Sequence, residues 1–248
     1  MTATAIQEID ESEIPFDAAA FAKQALASRE SLARVIDHTL LKPEASREQV
    51  LKVCTEAAEY PFACAMVNPT WVATAYAALA GTGVPVGVVV GFPLGANLTT
   101  TKREEAAALI REGARELDMV LNVGLLKSGD NARVISDIRG VAEVVHGAGA
   151  ILKVILETSL LNLEEKLRAS ELACQAGADF LKTSTGFSSS GATAADVALL
   201  RGVAGGRCGV KASGGIRTVE DARAMLEAGA NRIGASASVA IVEALSAT

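Results

Sequence analysis

The chain has 248 residues, half of them apolar and 21% charged, with a formal net charge of −6. That length and apolar content suit one barrel-sized domain, and the acidic balance excludes nucleic acid or an anionic membrane as the main partner, since both need a basic face. The four cysteines (Cys54, Cys64, Cys174, Cys208) form no C-x-x-C pair, which argues against a disulfide framework and fits a reducing cytoplasm.

The first stretch, "MTATAIQEIDESEIP", is acidic and has no apolar centre, so it is not read as a signal peptide. Residues 1–30 stand apart as an N-terminal extension. Within it "FDAAAFAKQALASRE" reads as one helix with Asp17 as N-cap, placed to plug a barrel bottom or meet a partner subunit. From residue 31 to 248 short β-branched runs alternate with Ala/Leu/Glu-rich stretches. The runs are "LARVIDHT", "FACAMV", "PVGVVVGF", "ELDMVLNV", "AILKVILE", "DFLKTST", "CGVKAS" and "NRIGAS". Between them, residues 100–113, 131–147, 162–176 and 218–228 carry apolar residues at helical spacing. Eight strand–helix units predict a parallel sheet closed as a (β/α)8 TIM barrel. An open doubly wound sheet would want a Gly-rich turn after its first strand, and "IDHTLLKP" is not one. The longest apolar run, "VPVGVVVGFPLGA", is too short and too broken by Pro and Gly to span a bilayer.

Three segments repeat a joint: "GARELD" (113–118), "GADFLK" (177–182) and "GANRIG" (229–234). In each, glycine ends a helix and a strand follows. They fall on strands 4, 6 and 8, so Asp118, Lys182 and Gly234 are expected at equivalent interior positions. Gly234 leaves space where the other two bring charge.

Lysine recurs in mid-strand at Lys153, Lys182 and Lys211, each 29 residues from the next. Side chains alternate across a strand. An inward Lys182 shares its face with Phe180 and Ser184, Lys153 with Ile155 and Glu157, and Asp118 with Val120 and Asn122. With Asp37 ending strand 1, the mouth is expected to hold three amines against three carboxylates, Asp37, Asp118 and Glu157, since burial demands balance. An amine attacks a carbonyl only when neutral, and burial plus a neighbouring cation lower its pKa. A lysine pair therefore points to Schiff-base chemistry, with Asp118 moving protons through a water. The pattern does not say whether Lys182 or Lys211 is the nucleophile. No metal is expected: the two histidines, His38 and His146, lie in no cluster with zinc-ligand spacing, and His38 reads as a hydrogen-bonded strand-end residue. No other cofactor is implied. Cys64 reads as a small core residue that could also face the site. Strands 6, 7 and 8 run into "TSTGF", "ASGGIR" and "GASAS". Gly186, Gly214, Gly215, Gly234 and Ser236 would there turn backbone N–H groups toward a phosphate, with Arg217 nearby. Such a site suits a phosphosugar isomerase or a phosphometabolite sensor as well, but both leave the lysines idle.

Six motifs, "IDHTLLKP", "LDMVLNVG", "LKVILET", "FLKTSTGF", "VKASGGIRT" and "RIGAS", closely resemble the deoxyribose-phosphate aldolase family over roughly residues 31–240. The resemblance implies a metal-independent class I aldolase, a lyase of carbohydrate degradation. It would reversibly cleave 2-deoxy-D-ribose 5-phosphate to D-glyceraldehyde 3-phosphate and acetaldehyde. By motif it makes Lys182 the Schiff-base residue, with Asp118 and Lys211 as proton donor and acceptor. Asp37 and Lys153 would orient substrate or water. Two departures stand out: the end "VEALSAT" lacks the tyrosine that family members often carry there, and Ser236 is followed by Ala237 rather than a second serine. Phosphosugar and aldehyde substrates are the expected partners, with a homodimer as the expected assembly.

Overall fold

The computed structural model describes residues 16–245. The expectation about the first fifteen residues, and the last three residues of the tyrosine-free end, lie outside them. Eight parallel strands close in sequence order into a barrel: β1 (Ile36–Leu40), β2 (Cys64–Val67), β3 (Val86–Val90), β4 (Ala114–Val120), β5 (Ile151–Ile155), β6 (Phe180–Lys182), β7 (Gly209–Ser213) and β8 (Arg232–Ala235). Each predicted run overlaps one strand. β1 meets β8 with Asp37 opposite Gly234, which joins the two ends of the sheet.

The crossovers are helical: α3 (Arg47–Glu59), α4 (Val72–Ala78), α5 (Thr99–Arg111), α7 (Asn131–Gly147), α8 (Leu163–Gln175), α9 (Ala194–Ala204), α10 (Val219–Glu227) and α11 (Ser238–Ala244), with a short α6 (Val123–Lys127) after β4. Local chemistry sets their starts. Ser46 with Gln49, Asn162 with Glu165, and Thr218 with Asp221 form reciprocal capping boxes. The repeated joint sets three of the stops. Gly113, Gly177 and Gly229 take φ of 113°, 98° and 110°, a backbone that a β-carbon resists. The next strand begins within three residues of each.

Outward side chains of the strands, such as Val88, Leu117, Val154, Leu181 and Ile233, form one continuous core with the helices. The inside of the barrel is divided. On the β2–β3 side Cys64, Met66 and Val89 pack with Leu41 and Phe92 as a separate apolar cluster. That wall is full: a β-carbon on Gly87 would lie 2.6 Å from the Cys64 Sγ. The remaining strands fill the interior with charge.

The N-terminal segment is two helices rather than one, α1 (Ala18–Ala25) and α2 (Arg29–Ala33). Asp17 caps the first as expected, accepting from the Ala20 N–H at 2.9 Å. Ser28 then breaks the run, because its Oγ accepts from the Ser31 N–H and so starts a second helix. The pair lies against α10 and α11, and Arg201 sits 4.0 Å over the Phe16 ring. No helix of the described residues is long and apolar enough to cross a membrane.

Candidate active site

Strand parity and register bring the charged residues together. Lys153 lies opposite Asp118, Lys182 opposite Lys211, and Lys211 opposite Arg232. Lys153, Lys182, Lys211, Asp37 and Asp118 all point inward and are buried. The Nζ atoms of Lys182 and Lys211 both donate to one oxygen, Asp118 Oδ2, each at 2.7 Å. The other oxygen of Asp118 takes Lys153 Nζ at 3.0 Å. Lys211 also bonds Asp37.

Two members of the cluster were missed by the sequence reading, and one expected member is absent. Glu116 forms an ion pair with Lys153 at 2.6 Å, and Arg232 bridges Asp37 Oδ1 at 2.7 Å and Glu116 Oε2 at 3.2 Å. The signal for both was parity: Glu116 is two residues before Asp118, and Arg232 two before Gly234. Glu157 is not in the cluster. Strand β5 ends at Ile155, and Glu157 turns left-handed with φ 55°, which ends the alternation that placed it inside. The expected balance of three against three is thus corrected to four cations, Lys153, Lys182, Lys211 and Arg232, against three carboxylates, Asp37, Glu116 and Asp118.

That surplus sorts the groups. Burial works to raise the carboxyl of Asp118, but Lys153, Lys182 and Lys211 together hold it well below its ordinary range. Asp37 is likewise lowered, against burial, chiefly by Lys211 and Lys153. Burial works to lower Lys153, yet Asp118, Glu116 and Asp37 hold it well above the usual lysine value. Lys182 goes the other way. Burial lowers it, Asp118 opposes this, and the nearby Lys211 charge adds to the fall, leaving a pKa of about 8. Four cations cannot all be matched by three acids, and the proton of Lys182 is loosened.

Lys182 and Lys211 form the base of an open cavity at the strand ends. Its walls include Thr185, Gly186, Phe187, Gly214, Gly215, Arg217, Gly234 and Ser236. Gly186, Gly214 and Gly215 have φ between 83° and 88°. Their N–H groups, with that of Ser236, donate to no protein group among the described residues, so four backbone donors are left for an anion. The loops after β6 and β7 touch backbone to backbone: Ala192 N donates to Gly214 O at 3.0 Å, and a β-carbon on Gly191 would fall 2.0 Å from that oxygen. Gly234 makes room as expected, since a β-carbon there would lie 3.0 Å from Lys211 Cε. Asp37 and Lys153, expected to meet substrate, are wholly buried and do not line this cavity; they bond Lys211 and Asp118 from beneath. His38 faces outward and bonds Glu56 at 2.8 Å.

Asp37, Cys64 and Glu116 offer three atoms within 4.8 Å of one another, close enough for a metal ion. The chemistry does not fit one. Both carboxylates are already bonded to Lys153 and Arg232. Burial, with Asp37 and Glu116, pushes the Cys64 thiol well above its usual pKa, so thiolate is disfavoured.

Residues 31–243 match the family model described as DeoC/LacD family aldolase. The deoxyribose-phosphate aldolase of Bacillus cytotoxicus is 58% identical over 212 residues, covering 86% of this chain and 95% of that protein. That of a Geobacillus species is 55% identical over 213 residues, with the same coverage. Among solved structures, the deoxyribose phosphate aldolase of Aeropyrum pernix, described as a tetramer, superposes with a TM-score of 0.85 at 36% identity, covering 92% of this chain and 96% of that one. An aldolase called QR15 gives 0.81 at 41% identity, covering 85% and 94%. A closed eight-stranded barrel, a lysine cluster inside it and a match over most of the chain agree, and this chain belongs to the DeoC/LacD aldolase family.

Proposed function

We propose that this chain is a metal-independent class I aldolase that reversibly cleaves 2-deoxy-D-ribose 5-phosphate to D-glyceraldehyde 3-phosphate and acetaldehyde, through a Schiff base on Lys182. The observation that carries the reading is one carboxylate oxygen shared by two amines. Asp118 Oδ2 binds both Lys182 and Lys211, and Lys182 is the amine held near pKa 8. At pH 7 about a tenth of such an amine is neutral, against less than about one part in a thousand for an ordinary lysine. The names of the relatives supply the substrate; the unpaired N–H groups of Gly186, Gly214, Gly215 and Ser236 supply a place for its phosphate.

The chemistry follows from the positions. The open-chain aldehyde reaches Lys182 at the base of the cavity with its phosphate toward the glycines. Neutral Nζ adds to C1, and loss of water leaves an iminium. The iminium draws electrons from the C2–C3 bond as the C3 hydroxyl gives up its proton. Glyceraldehyde 3-phosphate leaves, and an enamine of acetaldehyde remains. A proton delivered to C2 and a water added to C1 release acetaldehyde and restore the amine. Asp118 and Lys211 carry these protons, with a water reaching C2. Asp37 and Lys153 hold Lys211 and Asp118 in place. In the reverse direction the same enamine attacks the aldehyde carbon.

Incubation with acetaldehyde followed by borohydride tests this directly. The expected result is a reduced two-carbon adduct on the peptide holding Lys182. In Lys182→Ala the adduct is lost and turnover falls by at least about 10⁴-fold. An adduct on another lysine, or none, rejects the reading. The proposed compartment is the cytoplasm, and the proposed assembly is a homodimer. Light scattering distinguishes that dimer from the tetramer described for the Aeropyrum relative.

A further inference from the structure

Glu157 carries two costs that the lysine chemistry does not explain. Among the described residues it is the only one other than glycine with a positive φ, at 55° with ψ 63°. A β-carbon is disfavoured in that conformation and glycine would adopt it freely. The residue is also only 4% exposed, and its Oε1 has no partner. A buried, half-satisfied carboxylate on a strained backbone marks a residue retained for something other than stability. It bonds none of the four interior cations.

Its other oxygen shows what it holds. Glu157 Oε2 accepts from the Thr185 hydroxyl and, at 3.4 Å, from the Thr185 N–H. The Thr185 hydroxyl oxygen accepts in turn from the Phe187 N–H at 3.0 Å. On either side of Glu157 the backbone is stitched to the exit of β6: Leu156 N donates to Lys182 O at 2.9 Å, and Thr158 N to Thr183 O at 3.0 Å. Gly186, between Thr185 and Phe187, lines the mouth with its N–H unpaired. Glu157 does not line the mouth. It lines an apolar side pocket with Leu94, Val120 and Leu160, which meets the mouth at Thr185 and Phe187. The carboxylate therefore braces the loop from behind.

We infer that Glu157 is a positioning residue for phosphorylated substrates: by anchoring Thr185 it fixes the 185–187 loop so that the Gly186 N–H meets the phosphate, and it takes no part in the chemistry at Lys182. The inference rests on the phosphosugar lyase reading and adds to it the residue that sets the preference for a phosphorylated over an unphosphorylated sugar.

Glu157→Gly removes the anchor while relieving the backbone, so the relief offsets part of the lost hydrogen bonding. Glu157→Gln restores an acceptor for the Thr185 hydroxyl. Each is assayed with 2-deoxy-D-ribose 5-phosphate, with unphosphorylated 2-deoxy-D-ribose, and by acetaldehyde–borohydride trapping. For Glu157→Gly the expected result is normal trapping and a kcat within about twofold, with KM for the phosphorylated sugar raised about tenfold, the value of one lost hydrogen bond to a charged group. The kcat/KM for the unphosphorylated sugar stays unchanged, and Glu157→Gln recovers most of the loss. Thr185→Val, which keeps the shape of the side chain but loses the same anchor, raises KM for the phosphorylated sugar more than for the unphosphorylated one, and covers the case of a glycine variant that does not fold. Equal losses on both sugars, no loss on either, or no recovery by glutamine overturns the inference. A parent enzyme that traps no acetaldehyde removes the lyase reading first, and this inference with it. A parent that traps, with variants that show no selectivity, removes this inference alone.

Discussion

Lys102 and Lys182 are both buried against a carboxylate, but only Lys182 shares its carboxylate oxygen with a second amine. Lys102, on α5, has no exposure, donates to Asp137 on α7 at 2.6 Å and to the Val120 carbonyl at 3.0 Å. Thr99 satisfies the other Asp137 oxygen at 2.7 Å. That is one cation, one acid and no competitor. Lys182 is almost as buried, but the acid oxygen it bonds is also bonded by Lys211, in a cluster with four cations for three acids. Burial alone therefore does not make a nucleophile. Burial lowers the Lys182 pKa most, and the neighbouring Lys211 charge, which shares the same carboxylate oxygen, lowers it further.

The largest test of that contrast replaces each acid by its amide. Both Asp118→Asn and Asp137→Asn leave a buried ammonium short of charge, and each is expected to cost roughly 3–5 kcal/mol in denaturant unfolding. Turnover by the folded fraction separates them. Asp118→Asn should cut kcat by about 10²–10⁴-fold, as for loss of a proton-transfer group, while Asp137→Asn should stay within about threefold on the same reasoning. Comparable losses of kcat would erase the distinction between the two sites.

A smaller effect sharpens the part played by surplus charge. The Lys182 pKa of about 8 lies below the ordinary 10.5, so the rate of borohydride trapping should climb with pH and level off near 8. The cost of holding its ammonium in the fold is present below pH 8 and relieved between about 8 and 10.5. Lys211→Leu removes the neighbouring charge and leaves Asp118 Oδ2 to Lys182 alone. The Lys182 pKa then rises, and trapping at pH 7 slows about tenfold. A pH profile that does not move refutes the assigned cause. The smallest effect is expected from replacing the matched pair outright. Lys102→Met with Asp137→Leu should change stability by no more than about 2 kcal/mol, less than either single replacement, because an apolar pair of similar volume substitutes well for a buried ion pair. Thermal unfolding with the two singles closes the cycle; a double variant worse than both singles contradicts it.

The fold was legible because three local signals agreed: β-branched runs at regular intervals, helical periodicity between them, and a Gly-Ala joint whose glycines do take positive φ. The inward positions of Lys153, Lys182, Lys211, Asp37 and Asp118 followed from strand alternation. Glu116 and Arg232 lie one further step along the same alternation, two residues from Asp118 and Gly234, and the sequence reading missed both. Glu157 was misplaced for a different reason. A glutamate in left-handed backbone leaves no trace in a sequence, so alternation alone carries β5 two residues past its end at Ile155. The break before Ser28 was readable in principle, as a cap residue inside an otherwise helical run. The Lys102–Asp137 pair was not: its residues lie 35 apart in the chain, on two different helices, and no spacing rule connects them.

Asp37 stands on the first strand, while its partners Lys211 and Arg232 stand on the last two. Their union depends on the seam between β1 and β8. A chain emerging from the ribosome holds Lys182 before the seam can form, and until then its amine is hydrated and keeps the pKa of an ordinary lysine. The loosened proton of Lys182 belongs to the closed ring and not to the growing polypeptide.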